Sequence, residues 1–313
     1  MEISITTVDV SVIIPTYNRN RPLRTTLESV LSQSPAPAQI LVIDQSEAHD
    51  ADTSNFLEDL IKSQKIEYLH QDVPNAQHAR NLGIANATGE VLLFLDDDIV
   101  AEPNLVEAHW RNYQDSSIGA VCGFFLDPEE IPVEELPDVC HRPVTGWIYA
   151  PHCYAKRTLH YSWPSGNGSV RKHIAMSVGG FDENFTRTLF DDADFCVRMK
   201  QHGVLMVHDP EARLLHMKEP SGGKRPGSLN EYVIADQDQW YIWCYFFLSN
   251  FGLSSWREIL IRLRACVFRR KTLVKPCFFL IALTCFVTGF ITASTAILKG
   301  RRLASFHVLA ESL

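Results

Sequence analysis

The sequence predicts an α/β protein with a mostly parallel sheet and helices on both faces. Short β-branched runs alternate with helically spaced apolar residues through the first hundred positions. The connections between them are short, as parallel strand–helix–strand units require. Polar and acidic residues gather where the runs end, at Pro15–Arg19, Asp44 and Asp96–Asp98. Open α/β sheets bind ligands at those carboxyl ends.

Val10–Ile14 is a β-branched run that Pro15 is expected to stop. Residues 22–33 carry Leu23, Leu27, Val30 and Leu31 at helical spacing, and Ile40–Ile43 is a second strand ending on Asp44. A helix over 54–64 uses Phe56, Leu57, Leu60 and Ile61. Strand 66–69, helix 75–87 and the wholly apolar strand 91–95 complete the first half. Between 119 and 170 six prolines, from Pro128 to Pro164, suggest a loop-rich insert that shapes a substrate pocket. Helices are predicted over 170–178, ending at Gly179-Gly180, and from Asp192 to Gly203. Residues 213–215 are a short strand, and 219–230 a glycine-rich loop with a basic centre, Ser221–Arg225, suited to closing over a diphosphate.

Composition narrows the function. Residues 1–256 hold 19 Lys/Arg against 35 Asp/Glu, a net of −16, whereas 257–313 hold 10 against 2, a net of +8. The acidic part argues against nucleic acid as a partner, since phosphate backbones need a basic track. The eight cysteines form no CxxC pair and suggest reduced thiols rather than a zinc site or disulfide frame. Met1–Ser4 shows no secretory signal.

Two acidic clusters carry the chemistry. Asp96-Asp97-Asp98 closes a buried strand, and carboxylates so placed repel one another unless a cation joins them. Hard oxygen ligands suit Mg²⁺ or Mn²⁺ shared with a substrate phosphate. Asp191-Asp192-Ala193-Asp194 adds a carboxylate able to act as a base, or merely begins the following helix. No glycine precedes Gly83, so neither a dinucleotide fingerprint nor a P-loop can follow the first two strands.

The order of these motifs resembles the family-2 glycosyltransferases, which have the Rossmann-like GT-A fold. The matching stretches are Val12–Arg19, Val42–Asp44, Ala79–Gly83, Gly89-Glu90, Phe94–Asp98, Gly179–Glu183 and Asp191–Asp194, spanning roughly residues 10–225. The resemblance implies a catalytic domain over 1–235. Residues 10–100 would take a UDP-, dTDP- or GDP-linked sugar, and 101–235 a carbohydrate or lipid-linked acceptor. It assigns Asp98, Asp96 and His216 to a divalent metal (Mg²⁺ or Mn²⁺), and Asp192 to the general base of an inverting reaction. Pro15, Thr16, Tyr17, Asn18, Arg19, Asp44, Arg80, Asp96 and Asp97 would hold the nucleotide. Asp97 could instead turn into the protein, and Arg80 could pair with Asp44. Trp163, Asn167, Asp191 and Asp194 fall on the acceptor side, with core packing the alternative for Trp163. Two positions depart from the family pattern: Gln45 follows Asp44 where a second acid is common, and Asp191 stands where Glu is common. A sugar-nucleotide nucleotidyltransferase and a non-catalytic nucleotide-sugar-binding membrane protein are the rival readings.

The uncharged run 277–298 would reach about 33 Å as a helix, enough to cross a bilayer. Seven basic residues within 257–275 place the catalytic domain in the cytoplasm under the positive-inside rule. The C-terminal plan is a basic interfacial segment (236–276), a transmembrane helix (277–298) and a short tail (299–313), with in-plane helices or a buried hairpin as alternatives. No proposed donor ligand lies in this tail, so it is expected to be separable from the donor site.

Overall fold

The apolar runs form the predicted succession: β1 (Thr7–Thr16), α1 (Arg21–Leu31), β2 (Ala36–Asp44), α2 (Ala51–Lys62), β3 (Glu67–His70), α3 (Ala76–Asn86) and β4 (Val91–Leu95). The computed structural model describes residues 7–135, 141–142, 147–148, 152–159, 162–219, 235–268 and 270–306. The predicted Ser221–Arg225 loop lies outside them. Pro15 does not stop β1. Pairing with β2 runs on to Thr16 opposite Asp44, while pairing with β4 ends at Ile13 opposite Phe94. Pro15 therefore sits where the strand has one partner, a position that tolerates a missing N–H.

The second half continues with β5 (Ile99–Ala101), α4 (Leu105–Trp110), β6 (Ile118–Leu126), the antiparallel pair β7 (His141–Arg142) and β8 (Trp147–Ile148), and β9 (Thr158–Leu159). It ends with β10 (Asn167–Arg171), α5 (Lys172–Ser177), α6 (Asp191–Gln201) and β11 (Leu205–His216). The expected loop-rich stretch thus begins and ends with sheet strands. Gly123 is required in β6, because a Cβ there would lie 2.3 Å from the Asn167 side chain of neighbouring β10. The helix expected from 170 starts two residues later, since Val170 and Arg171 pair with β4.

The nine-stranded sheet has the path β3-β2-β1-β4-β10-β6-β11-β5, with β9 added alongside β11. The first four strands are parallel, β10 runs antiparallel between β4 and β6, and β6 and β11 are again parallel. Alternating side chains feed two cores. Val12, Ile14, Leu93 and Leu95 meet α1, α2 and α4, while Ile13, Leu92 and Phe94 meet α3, α5 and α6. At Gly83 of α3 a Cβ would lie 2.4 Å from Ile13, so glycine lets the helix close onto the sheet.

A helical layer follows: α7 (Gln237–Phe251), α8 (Trp256–Cys266), α9 (Arg270–Leu273) and α10 (Pro276–Lys299). The aromatic stretch, which suits an interface or a core edge, packs inside. Trp240 through Phe247 are all buried, as befits a helix that is apolar all round. Tyr245 donates to Asp182 at 2.7 Å, and Asn250 to Asp194 at 2.7 Å, so α7 lies on the catalytic domain. α10 is long and apolar enough to cross a membrane by length and composition, with a mean hydropathy of 2.1.

After α10 the chain returns to the domain as a strap over residues 300–306. Arg301 contacts the buried carboxylates of Asp182 (3.2 Å) and Asp194 (2.7 Å). The Glu183 N–H donates to the Arg302 carbonyl, the Ala304 N–H donates to that of Gly179, and Phe306 enters the core. This part of the tail packs on the catalytic fold, away from the expected donor residues. Arg301→Ala should cost about 2–3 kcal/mol, because Asp182 loses its cation while Asp194 keeps Arg198. Thermal unfolding should show a midpoint lower by several degrees, and an unchanged midpoint would show that the strap is not docked.

Candidate active site

A cavity of about 440 Å³ opens at the carboxyl ends of β1 and β4. Its wall takes Pro15 and Thr16 from the end of β1, Tyr17 and Arg19 from just beyond it, Asp96–Asp98 from beyond β4, and Asp127 from beyond β6. Pro164–Gly166 before β10, the start of α6, and His216 at the end of β11 close it. Elements far apart in sequence meet here because the sheet brings its strand ends together.

The three aspartates after β4 do different things. Asp97 turns inward, accepting from the Thr16 hydroxyl at 2.7 Å and lying 3.5 Å from Arg19. Burial pushes its carboxyl up to about 7, against the pull of Arg19. Asp98 divides its oxygens: Oδ2 accepts from Arg19 (3.2 Å) and the Glu219 N–H (3.1 Å), and Oδ1 lies 3.3 Å from His216 Nε2. Asp96 is more open and lies 4.0 Å from the same nitrogen. Ligand atoms of Asp96, Asp98 and His216 all fall within 4.8 Å of one another, a hard oxygen-plus-imidazole set that fits Mg²⁺ or Mn²⁺. His216 Nδ1 contacts Asp127 at 2.7 Å, an outer carboxylate of the kind that orients a ligating imidazole. Burial disfavours the imidazolium, but Asp98, Asp96 and Asp127 outweigh it and raise the His216 pKa. The same field favours a bound cation.

The second cluster starts α6. Phe190 adopts a left-handed conformation (φ 62°) and turns the chain so that Asp191 and Asp192 occupy the first helical turn. Backbone N–H groups there favour negative charge. Asp191 is held by Arg80 (2.8 Å) and Gln77 (3.0 Å), both on the buried face of α3. Arg80 therefore pairs with Asp191, not with Asp44. Asp192 Oδ2 accepts from the Ser165 N–H at 3.1 Å, and its buried Oδ1 has no hydrogen-bond partner among the described residues. Burial raises the Asp192 pKa, and Arg80 opposes the rise. Asp194 faces away from the cavity into Arg198, Asn250 and Arg301.

Several assigned residues lie outside the cavity wall. Asp44 is fully buried behind Gln45, and its oxygens are taken by His49, the Tyr68 hydroxyl and the Ser46 N–H. Asn18 takes the left-handed conformation (φ 53°) of a turn, with its N–H on Ser46. Trp163 packs in the core against Phe94 and Phe195, its indole N–H on the Ser169 carbonyl. Asn167 is also buried, bonded to His109 and to the carbonyls of Phe124 and Ala212. In their place the cavity is lined by Gln45, Asp127, His152, Ser165 and Lys218. Asp127 stands just past β6 much as Asp96 stands just past β4, a signal hidden when 119–126 is taken for loop.

Gly166 supports the metal-capable set, because a Cβ there would lie 2.6 Å from Asp96 Oδ2. Gly166→Ala should displace that carboxylate and weaken Mn²⁺ binding roughly tenfold, the usual scale for disturbed ligand support. Calorimetric titration with Mn²⁺ checks this; unaltered affinity would remove Asp96 from the ligand set.

Comparison with known proteins yields a consistent match. The sequence profile described as Glycosyl transferase family 2 covers residues 11–165. An O-antigen biosynthesis protein of Myxococcus xanthus is 26% identical over 69% of this chain and 18% of its own length. A glucosyl-dolichyl phosphate glucuronosyltransferase of Haloferax volcanii is 24% identical over 66% of this chain and 68% of its own. Among solved structures, a mannosyltransferase of Pyrobaculum calidifontis in complex with GDP-Man and Mn²⁺ superposes with a TM-score of 0.51 at 14% identity, covering 97% of this chain and 79% of that one. The shared fold is the GT-A type.

Proposed function

The chain belongs to glycosyl transferase family 2, and on that premise we propose that it moves a sugar from a nucleotide-linked donor to an acceptor hydroxyl with inversion at the anomeric carbon. The observation that carries this reading is the pairing, in one cavity, of the Asp96/Asp98/His216 set with Asp192 and its unpartnered Oδ1. A divalent ion held by Asp96, Asp98 and His216 would supply positive charge to the donor diphosphate and to the departing nucleoside diphosphate. Tyr17 and Gln45, which line the cavity beyond β1 and β2, are the proposed contacts of the base. Thr16 and Arg19 hold Asp97 and Asp98 in place rather than reaching the donor themselves.

Asp192 Oδ1 takes the proton of the acceptor hydroxyl as that oxygen attacks the anomeric carbon and the glycosidic bond to phosphate breaks. Ser165 keeps Oδ2 engaged, so a single oxygen is presented. Arg80 and Gln77 hold the adjacent Asp191 and thereby set the first turn of α6. The Haloferax relative's name makes a lipid-linked acceptor the favoured class, with a soluble glycan the alternative. The donor nucleotide stays open among UDP, dTDP and GDP.

Asp98→Ala should abolish metal-dependent donor binding and transfer together; donor affinity that still responds to Mn²⁺ would refute the metal assignment. Asp192→Asn should keep donor affinity and lower kcat by at least about a hundredfold. Near-normal turnover would shift the base role to Asp191. A base works only when deprotonated, so activity should fall as pH drops through the raised Asp192 pKa. The acid limb of the rate profile is therefore expected above the ordinary carboxylate range, and a limb at the ordinary position would contradict the buried-base assignment.

A further inference from the structure

We propose that α8 and α10 form a docking face for the anionic surface of one membrane leaflet, and that the chain lies on that leaflet without crossing it. This face is a different surface from the cavity and has no part in the transfer reaction. Ala282, Gly289 and Ala293 are buried along one side of the helix. A Cβ at Gly289 would lie 2.7 Å from Trp240 Cβ, so α10 is pressed closely onto α7, and Phe286 meets the Trp240 ring at 5.2 Å. α7 is in turn bonded to Asn184, Asp182 and Asp194 of the catalytic domain. Beyond α10, Gly300 and Arg301 bind the same domain residues. From Phe286 to its end the helix thus lies along α7, and its first turns run past the start of α7 to pack on α8.

A single crossing is incompatible with that path. If α10 spanned the bilayer, Lys275 and Arg301 would face opposite sides of it, yet the half of the helix leading to Arg301 lies along α7, which the catalytic domain holds at both ends. Segment 252–275 would have to cross as well, carrying Arg257, Arg262 and Arg264 to the far side, against the positive-inside rule. The opposite side of α10 is mainly apolar: Leu280, Ile281, Val287, Ile291 and Leu298 are exposed, with Thr284 and Thr295 among them. α8 adds exposed Trp256, Leu260 and Ile261 among Arg257, Arg262 and Arg264. Apolar residues flanked by exposed arginines complement an anionic interface, not a neutral protein groove.

The test uses the full chain. Fused to GFP or to alkaline phosphatase at either end and expressed in bacteria, it should fluoresce and lack phosphatase activity in both orientations. Phosphatase activity from the C-terminal fusion alone would overturn the proposal in favour of a span. Purified protein should float with vesicles of equal phosphatidylcholine and phosphatidylglycerol and much less with phosphatidylcholine alone. Leu280→Glu combined with Ile291→Glu should cut the floated fraction at least about fivefold while circular dichroism stays unchanged. No flotation on either vesicle would overturn the membrane face. A stable dimer in vesicle-free buffer that the double variant abolishes would likewise overturn it, in favour of a second copy of this chain.

Discussion

Like charges crowded at the carboxyl edge of the sheet must be neutralised one by one, and how the chain does so settles what each acid does. Arg19 serves Asp97 and one oxygen of Asp98, and Arg80 serves Asp191. Lys218 and His216 meet at Asp127. Asp96 and Asp192 are left presenting oxygen atoms with the least internal satisfaction. They are the two that a metal and an acceptor hydroxyl would complete. Function here is the remainder of an electrostatic account that the fold balances almost everywhere else.

That balance is held from behind by α3. Gln77 and Arg80 grip the first turn of α6, while Asn81 accepts from the Phe181 N–H and donates to its carbonyl. His78 and Asn81 reach Glu183. The Gly179–Glu183 turn is clasped on its other side by Tyr245 and the 300–306 strap. Arg301 ties Asp194 of α6 to the end of α10, so the base-bearing helix is connected to the face assigned to the membrane. The metal-capable set, by contrast, rests on β4 and β11 and has no such tie among the described residues.

Much of this was legible in the sequence because hydrophobic periodicity and strand-end acids are local signals. The elements through β4 and the helix carrying Asp192 follow from such patterns, whereas joining His216 to Asp96 and Asp98 took the family resemblance. What escaped depends on partners distant in sequence. Ile118–Leu126 is an apolar strand interrupted by two glycines whose need appears only beside Asn167 and Val204. Asp44 looked available until His49 and Tyr68 closed over it. Trp163 and Asn167 flank a glycine-rich turn that reads as surface, yet both point into the core between β4 and β6. The uncharged run over 277–298 signals apolar burial without saying in what, and only the strap after it shows that its C-terminal end is tied to the catalytic domain.

The claim on which the rest stands is that Asp96, Asp98 and His216 share one divalent ion next to Asp192. Crystals grown with Mn²⁺ and a nucleoside diphosphate, measured at the manganese absorption edge, test it directly. The account predicts an anomalous peak within bonding distance of those three side chains, with diphosphate oxygens completing the sphere. A peak held by other residues, or a bound diphosphate with no metal between it and Asp98, would contradict it.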